Sequence, residues 1–454
     1  MKKLLSGLMA TAIVGTSASA VAACGSPYKA FNEIYLVTDA GKINDKSFNE
    51  SGYNGGNEVM KRLGDVSEGY SGIGYFQPPS ITELETGYSN AQTAGAKTLI
   101  LPGFHHAGDH LKNASEAMKK NDGNVIFLDG VPEDENGNTL DNVVGFLFRS
   151  DISAFYSGFA SIIWSITNNN YKGQELKLAT FGGVPNGLAV ESFMIGYLAS
   201  IDFYNQLKEN ETGVKKLTEV YKAAGMDESK IEEALKVNVS RVDSQKTVKS
   251  EFKSNFFTDN FNAGGGTVIS QQLVNGGADV VMGVAGPQTG DLLSVIKNQR
   301  ANTMVVGVDT DQVNAYPGSS DKFITSAEKD LVSATIAGAA MTTYADNKEL
   351  KEKSKDEIAK VILKDDQKNL EDWKGQEIYM GGSFSKDGKN KINSQLHDAI
   401  EKAIPNEALI DASTYYFDKQ DSTADGWLKN IGDDTIKEYV NLVMNSLGLT
   451  GDVI

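Results

Sequence analysis

Four charged side chains fall where short apolar runs end. Asp39 follows Glu33–Thr38, Asp129 follows Val125–Leu128, Asp309 follows Val305–Val308, and Lys329 follows Phe323–Ser326. Gly286 closes a fifth run, Val280–Ala285. Carboxylates in a cleft accept hydrogen bonds from sugar hydroxyls or ring N–H groups. Any one of these acids taken alone reads as a helix cap or a loop charge; taken together they read as a polar ligand site. After Asp39 the loop Ala40–Lys46 leads into Ser47-Phe48-Asn49-Glu50. With Ser47 as the cap of a helix, Phe48 and Asn49 occupy its first turn at the mouth of a sheet. There a phenyl ring can carry a flat heterocycle and an amide can read its edge. The same spacing fits Phe48 packed as a staple beneath the helix start.

The elements that must position these residues alternate. Ser47–Leu63 and Ser80–Ala94 read as helices, each opened by a capping-box pattern, Ser47…Glu50 and Ser80…Glu83. Ser150–Thr167 carries Ile152, Phe155, Tyr156, Phe159, Ile163 and Ile166 at helical spacing. Gly72–Phe76, Thr98–Leu101, Val143–Phe148, Leu176–Phe181 and Val237–Val239 read as further strands. This rhythm predicts an α/β fold of two doubly wound parallel-sheet lobes joined by a hinge. Ligands of such sheets bind beyond the carboxyl ends of the strands. The expected lobes are residues 33–149 plus 327–378 and residues 150–326 plus 379–454. Two charged stretches, 206–236 and 346–372, read as peripheral helical insertions; 14 of the 23 residues from 346 to 368 are charged, so most must be solvated.

Composition narrows the function. A net charge of −17 over 454 residues argues against nucleic-acid binding and against polybasic docking to anionic lipid. A single cysteine excludes an intrachain disulfide framework and cysteine-based metal clusters. That cysteine, Cys24, ends a layout of Lys2-Lys3, an apolar stretch Leu4–Val14 and small residues up to Val21-Ala22-Ala23. The layout is that of a secretory signal, residues 1–23, and the segment before the cysteine resembles a bacterial lipobox. Acylation of Cys24 then ties the domain through a short linker, residues 24–32, to the outer face of the cell membrane.

Several stretches resemble one family. VTDAGKINDKSFNESGYNGG, Gly103-Phe104, FLDG at 127–130, GADVVMGVAG at 277–286, VGVDTDQ at 306–312 and ITSAEKD at 324–330 keep its motif order. The pattern is similar to the basic membrane protein family, the purine-nucleoside-receptor type of substrate-binding lipoprotein. The resemblance implies a type I periplasmic-binding-protein-like fold, no enzymatic activity and no cofactor or metal. It also implies delivery of a nucleoside to an ABC transporter permease. Residue by residue, it makes Phe48 one of two rings that sandwich a purine. The second is Phe257 of Phe257-Thr258-Asp259, with Phe256 one position away. It assigns Asp39, Asn49 and Asp129 to one side of the cleft and Gly286, Asp309 and Lys329 to the other. Stacking accepts any base, so the polar groups must supply selectivity. Carboxylates favour an uncharged nucleoside over a nucleotide. The expected partners are thus a purine nucleoside, the permease and the membrane, with no nucleic acid, for a protein acting as a monomer.

Other signals carry less. His105, His106, Asp109 and His110 could hold zinc, although their place in a cleft loop favours a ligand contact by one histidine. The Asp- and Asn-rich stretch 132–141 lacks calcium-loop spacing. Trp164, Trp373 and Trp427 read as packing residues. The rival functions are a binding protein for another small polar ligand such as a sugar, a nucleoside hydrolase and a surface adhesin.

Overall fold

The computed structural model describes residues 29–340, 355–364, 375–418 and 432–449. Residues 1–28, with the signal layout and Cys24, lie outside these, as do most of 346–372, Trp373 and Trp427.

The first lobe alternates β1 (Ala30–Val37), α1 (Phe48–Arg62), β2 (Gly72–Phe76), α2 (Leu84–Thr93), β3 (Thr98–Pro102), α3 (Asp109–Lys119), β4 (Asn124–Leu128) and β5 (Val143–Phe148). The second is built on α4 (Ser150–Thr167), β6 (Glu175–Gly182), α5 (Ser192–Lys208), α6 (Glu211–Ala223), α7 (Glu228–Ala234), β7 (Asn238–Arg241), α8 (Thr267–Asn275), β8 (Val280–Val284), α9 (Thr289–Gln299), β9 (Met304–Asp309), α10 (Gln312–Ala315) and β10 (Phe323–Lys329). The chain then returns to the first lobe with α11 (Leu331–Ala339), α12 (Lys355–Leu363) and β11 (Glu377–Met380). It ends in the second with β12 (Gly382–Phe384), α13 (Ser394–Ala403), α14 (Asn406–Asp418) and α15 (Asp433–Ser446).

Among the described residues two six-stranded sheets result, ordered β11-β5-β4-β3-β1-β2 and β12-β10-β9-β8-β6-β7. All pairings are parallel except β10 with β12. The central strands β3, β4, β8 and β9 are buried along their whole length, as helices on both faces require. Each sheet therefore carries two apolar layers. In the first lobe Ile34, Ile100 and Ile126 face α1 and α11, while Val37, Leu99 and Phe127 face α2 and α3. The lobes meet where the chain crosses at Arg149, at Asp330 and at Gly381. Just past the first crossing α4 packs tightly on α5, because Gly196 has no Cβ to collide with the Asp151 carbonyl.

Several local expectations change. Neither Ser47 nor Ser80 caps a helix with its side chain. Ser80 bonds Thr82 instead, and residues 81–83 form a 3₁₀ turn before α2 begins at Leu84. The charged stretch 206–236 is helical, but it is not wholly peripheral: Leu217, Val220 and Tyr221 of α6 enter the second-lobe core, where the Tyr221 and Tyr204 hydroxyls bond at 2.6 Å. Of residues 346–372, the described part, 355–364, contains all of α12, which buries Ile358 and Ile362 against the first lobe. No helix among the described residues is long and apolar enough to cross a membrane.

Candidate functional site

A cavity lies between the lobes at the carboxyl ends of both sheets. Asp39, Phe48, Asn49 and Asp129 line it from the first lobe; Gly286, Asp309 and Lys329 line it from the second. Parallel strands deliver them together, because each sits just past, or at, the end of a strand or at the start of α1. Asp129 and Asp309 both adopt left-handed backbone (φ 71° and 66°), which bends their carboxylates from the strand ends into the cleft.

Phe257 does not line the cavity. Residues 256–258 run on as a bridge beside the end of β6: Gly182 N–H donates to the Phe256 carbonyl at 2.7 Å and Thr258 N–H to the Gly182 carbonyl at 3.1 Å. That pairing buries both rings in the second-lobe core, leaving Phe257 only 4% exposed. The chain then turns at Asp259 (φ 60°) and Phe261 lines the cavity instead. Phe104 of the first lobe faces it, with ring centroids 6.1 Å apart and planes at 63°. The aromatic walls are therefore Phe48, Phe104 and Phe261.

The lobes touch across the cavity. Ser47 Oγ donates to Asp309 Oδ2 at 2.5 Å, and Gln312 Nε2 donates to the Lys46 carbonyl at 3.2 Å. Lys329 Nζ donates to Asp129 Oδ2 at 2.6 Å and to the Ala189 carbonyl at 3.0 Å. The Phe48, Phe148 and Phe193 rings surround that ammonium at 5.0, 5.9 and 4.9 Å. Asp129 Oδ1 is buried with no partner and remains an acceptor for whatever fills the site.

Residues 33–223 match the family model described as ABC transporter substrate-binding protein, PnrA-like. Over that stretch the chain is similar to the PnrA-like substrate-binding proteins. The nucleoside-binding protein BmpA of an ABC transporter from Lactococcus lactis subsp. cremoris is 26% identical over 287 residues, 61% of this chain and 63% of that one. The uncharacterized lipoprotein MG040 of Mycoplasma genitalium is 23% identical over 368 residues, 68% of this chain and 59% of the relative. Basic membrane protein A of Borreliella burgdorferi is 24% identical, covering 76% of this chain and 80% of its own. This chain thus spans about three fifths of the length of the first two relatives. An ABC transporter solute-binding protein from Aeropyrum pernix K1 shares the fold, with a TM-score of 0.50 at 18% identity over 91% of each chain.

Within the cleft the polar groups are tightly committed. Asp45, not Ser47, holds the start of α1: its carboxylate accepts from the backbone N–H of Ser47 (2.9 Å), Asn49 (3.1 Å) and Glu50 (3.2 Å). Asn49 Nδ2 donates to Asp39 Oδ1 at 3.0 Å and to Asp45 Oδ2 at 2.9 Å, while its Oδ1 accepts from Asp39 N–H at 3.2 Å. Both amide hydrogens are thus engaged by the protein. Asn49 can meet a ligand only through the second lone pair of Oδ1, a narrower part than reading an edge as donor and acceptor.

Burial pushes the Asp45 carboxyl up to about 6, against its hydrogen bonds from Asn49 and the helix backbone. Burial also pushes Asp129 up to about 7; the Lys329 ammonium opposes this but does not overcome it, and Asp309 and Asp39 add to the rise. Asp309 rises for the same first reason, opposed by Lys329 and Ser47. Burial pulls Asp39 upward too, but the His105 hydrogen bond, the charges of His105 and His106 and the Asn49 amide outweigh it, and Asp39 ends below the ordinary carboxylate range. The three loop histidines do not converge on a metal: His106 bonds Tyr88 at 2.7 Å and His110 bonds Glu85 at 3.1 Å. Sequence reasoning missed Phe261 and the capping role of Asp45. The turn-formers around Asn260-Phe261, Asp259 and Gly264–Gly266, were the available signal for an exposed ring.

Proposed function

We propose that this protein captures purine nucleosides between its lobes and hands them to an ABC permease, held at the outer face of the cell membrane by lipid on Cys24. The reading rests on one observation: the interlobe cavity has aromatic walls, a rim of carboxylate acceptors, and, among the described residues, Lys329 as its one cationic lining residue, already paired with Asp129. A base gains roughly 1–3 kcal/mol from stacking on such a ring. The pentose hydroxyls are donors that suit Asp129 Oδ1 and Asp309. A phosphate would meet these acids, with no free cation among the described lining residues to receive it. The nucleoside-binding relative supports the same ligand class, and the relatives named as lipoproteins support the anchor. The protein acts as a binding protein, without turnover of its ligand.

Thermal denaturation with guanosine, inosine and adenosine at saturation tests the reading. A ligand at about 100 times its Kd adds roughly 2.7 kcal/mol. The expected result is a rise in Tm with purine nucleosides and none with the matching monophosphates. A rise with glucose or ribose and none with any nucleoside would overturn it.

A further inference from the structure

Behind the cavity wall sits a side chain that lines nothing yet touches both lobes. His105 Nδ1 lies 2.8 Å from Asp39 Oδ2. Its ring stacks on Phe104, centroids 4.4 Å apart with planes at 26°, and meets Phe261 of the opposite lobe edge-on at 6.0 Å and 89°. Asp39 is held as a carboxylate and can only accept, so the hydrogen of this contact resides on Nδ1. The other Asp39 oxygen accepts from Asn49 Nδ2 at 3.0 Å and from Gly41 N–H at 3.2 Å. The acid is thus fixed from both sides. The approach is built into the backbone: Gly103 has φ 107°, and a Cβ there would collide with the Asp39 carboxylate. His106 and His110 are directed elsewhere, to Tyr88 and Glu85, so the role falls to one histidine of the three.

We infer that His105 is a positioning residue for ligand capture: its Nδ1–H sets the orientation of the Asp39 carboxylate in the cleft, and its ring ties that setting to Phe261 when the lobes close. The inference rests on the nucleoside reading for its ligand and on the His105–Asp39 contact for its mechanism. Asn at position 105 can place an amide N–H near the site of Nδ1; Leu keeps bulk and offers no donor.

Calorimetric titration of guanosine and inosine into the wild type, His105→Leu and His105→Asn separates the roles. Losing a hydrogen bond to a charged group corresponds to a drop in affinity of about ten- to a hundredfold, expected for His105→Leu. His105→Asn is expected to return to within about threefold of the wild type, with both ligand-free variants melting within a few degrees of it. Equal losses in both variants, or none in either, would overturn the inference. A ligand-free measurement runs beside it: proton NMR of protein labelled with ¹⁵N-histidine. The expected signal is a downfield, slowly exchanging Nδ1–H of His105 that moves in Asp39→Asn. Wild type that binds nucleoside without that proton overturns the couple alone. Wild type that shows the proton and binds no nucleoside overturns the ligand reading and leaves the couple standing.

Discussion

Replacing Phe261 and Phe257 by alanine, one at a time, separates a ligand-facing ring from a core ring four residues away. Phe261 lines the cavity, packs across the cleft on Phe104 and His105 at about 6 Å, and covers Gly183. Removing it takes away a stacking face worth roughly 1–3 kcal/mol, so nucleoside affinity is expected to fall about 5- to 150-fold. Phe261 is also half-buried against two apolar layers of the second lobe, so the melting temperature of the ligand-free protein should fall, but by less than on loss of the fully buried Phe257. Phe257 is 4% exposed and packs in the second-lobe core beside Gly182. Phe→Ala at such a site costs about 3–5 kcal/mol of stability. At roughly 2–4 °C per kcal/mol for a unit of 150–250 residues, Tm should drop on the order of 6–20 °C. The protein that stays folded should bind about as well as the wild type. Thermal denaturation and calorimetric titration with guanosine, run on both variants, give the two readouts. An affinity loss confined to Phe257→Ala, with Phe261→Ala silent, would refute the assignment of the rings.

Two further predictions concern buried charge. Glu191 is fully buried, neither carboxylate oxygen has a partner, and burial pushes it up to about 8, opposed only by the charge of Lys253. Folded protein therefore holds a proton that the unfolded chain releases, and this group's contribution to stability falls as pH rises from about 4.5 to 8, by up to roughly 1.4 kcal/mol per pH unit. Glu191→Gln should flatten that fall in urea denaturation at pH 5, 6.5 and 8; an unchanged slope would show that Glu191 is not its source. Lys329→Met keeps an apolar stem among Phe48, Phe148 and Phe193 but strips Asp129 of its partner. A loss of about 3–5 kcal/mol is expected at pH 7.5, with part recovered at pH 5 as Asp129 takes up a proton. An equal loss at both values would remove the unpaired carboxylate as the cause.

The sequence by itself determined the layered α/β plan and the strand-end positions of the cleft residues. Apolar runs such as Leu99–Leu101 and Val125–Leu128 are buried on both faces, and only parallel sheets sandwiched by helices ask for that pattern. Once the strands are parallel, residues at their carboxyl ends must share one edge, so Asp39, Asp129, Asp309 and Lys329 meet. Tertiary structure alone decided the rest. Ser47 has a capping sequence, but its hydroxyl finds Asp309, 262 residues away, and Asp45 takes over the cap. Phe257 has the motif, but pairing of residues 256–258 with the end of β6 draws it into the core and leaves Phe261 at the surface of the cleft. Local spacing encodes what a segment can do with its own backbone. Which of several equivalent rings or hydroxyls meets a distant partner is decided by packing, where burial outweighs local preference.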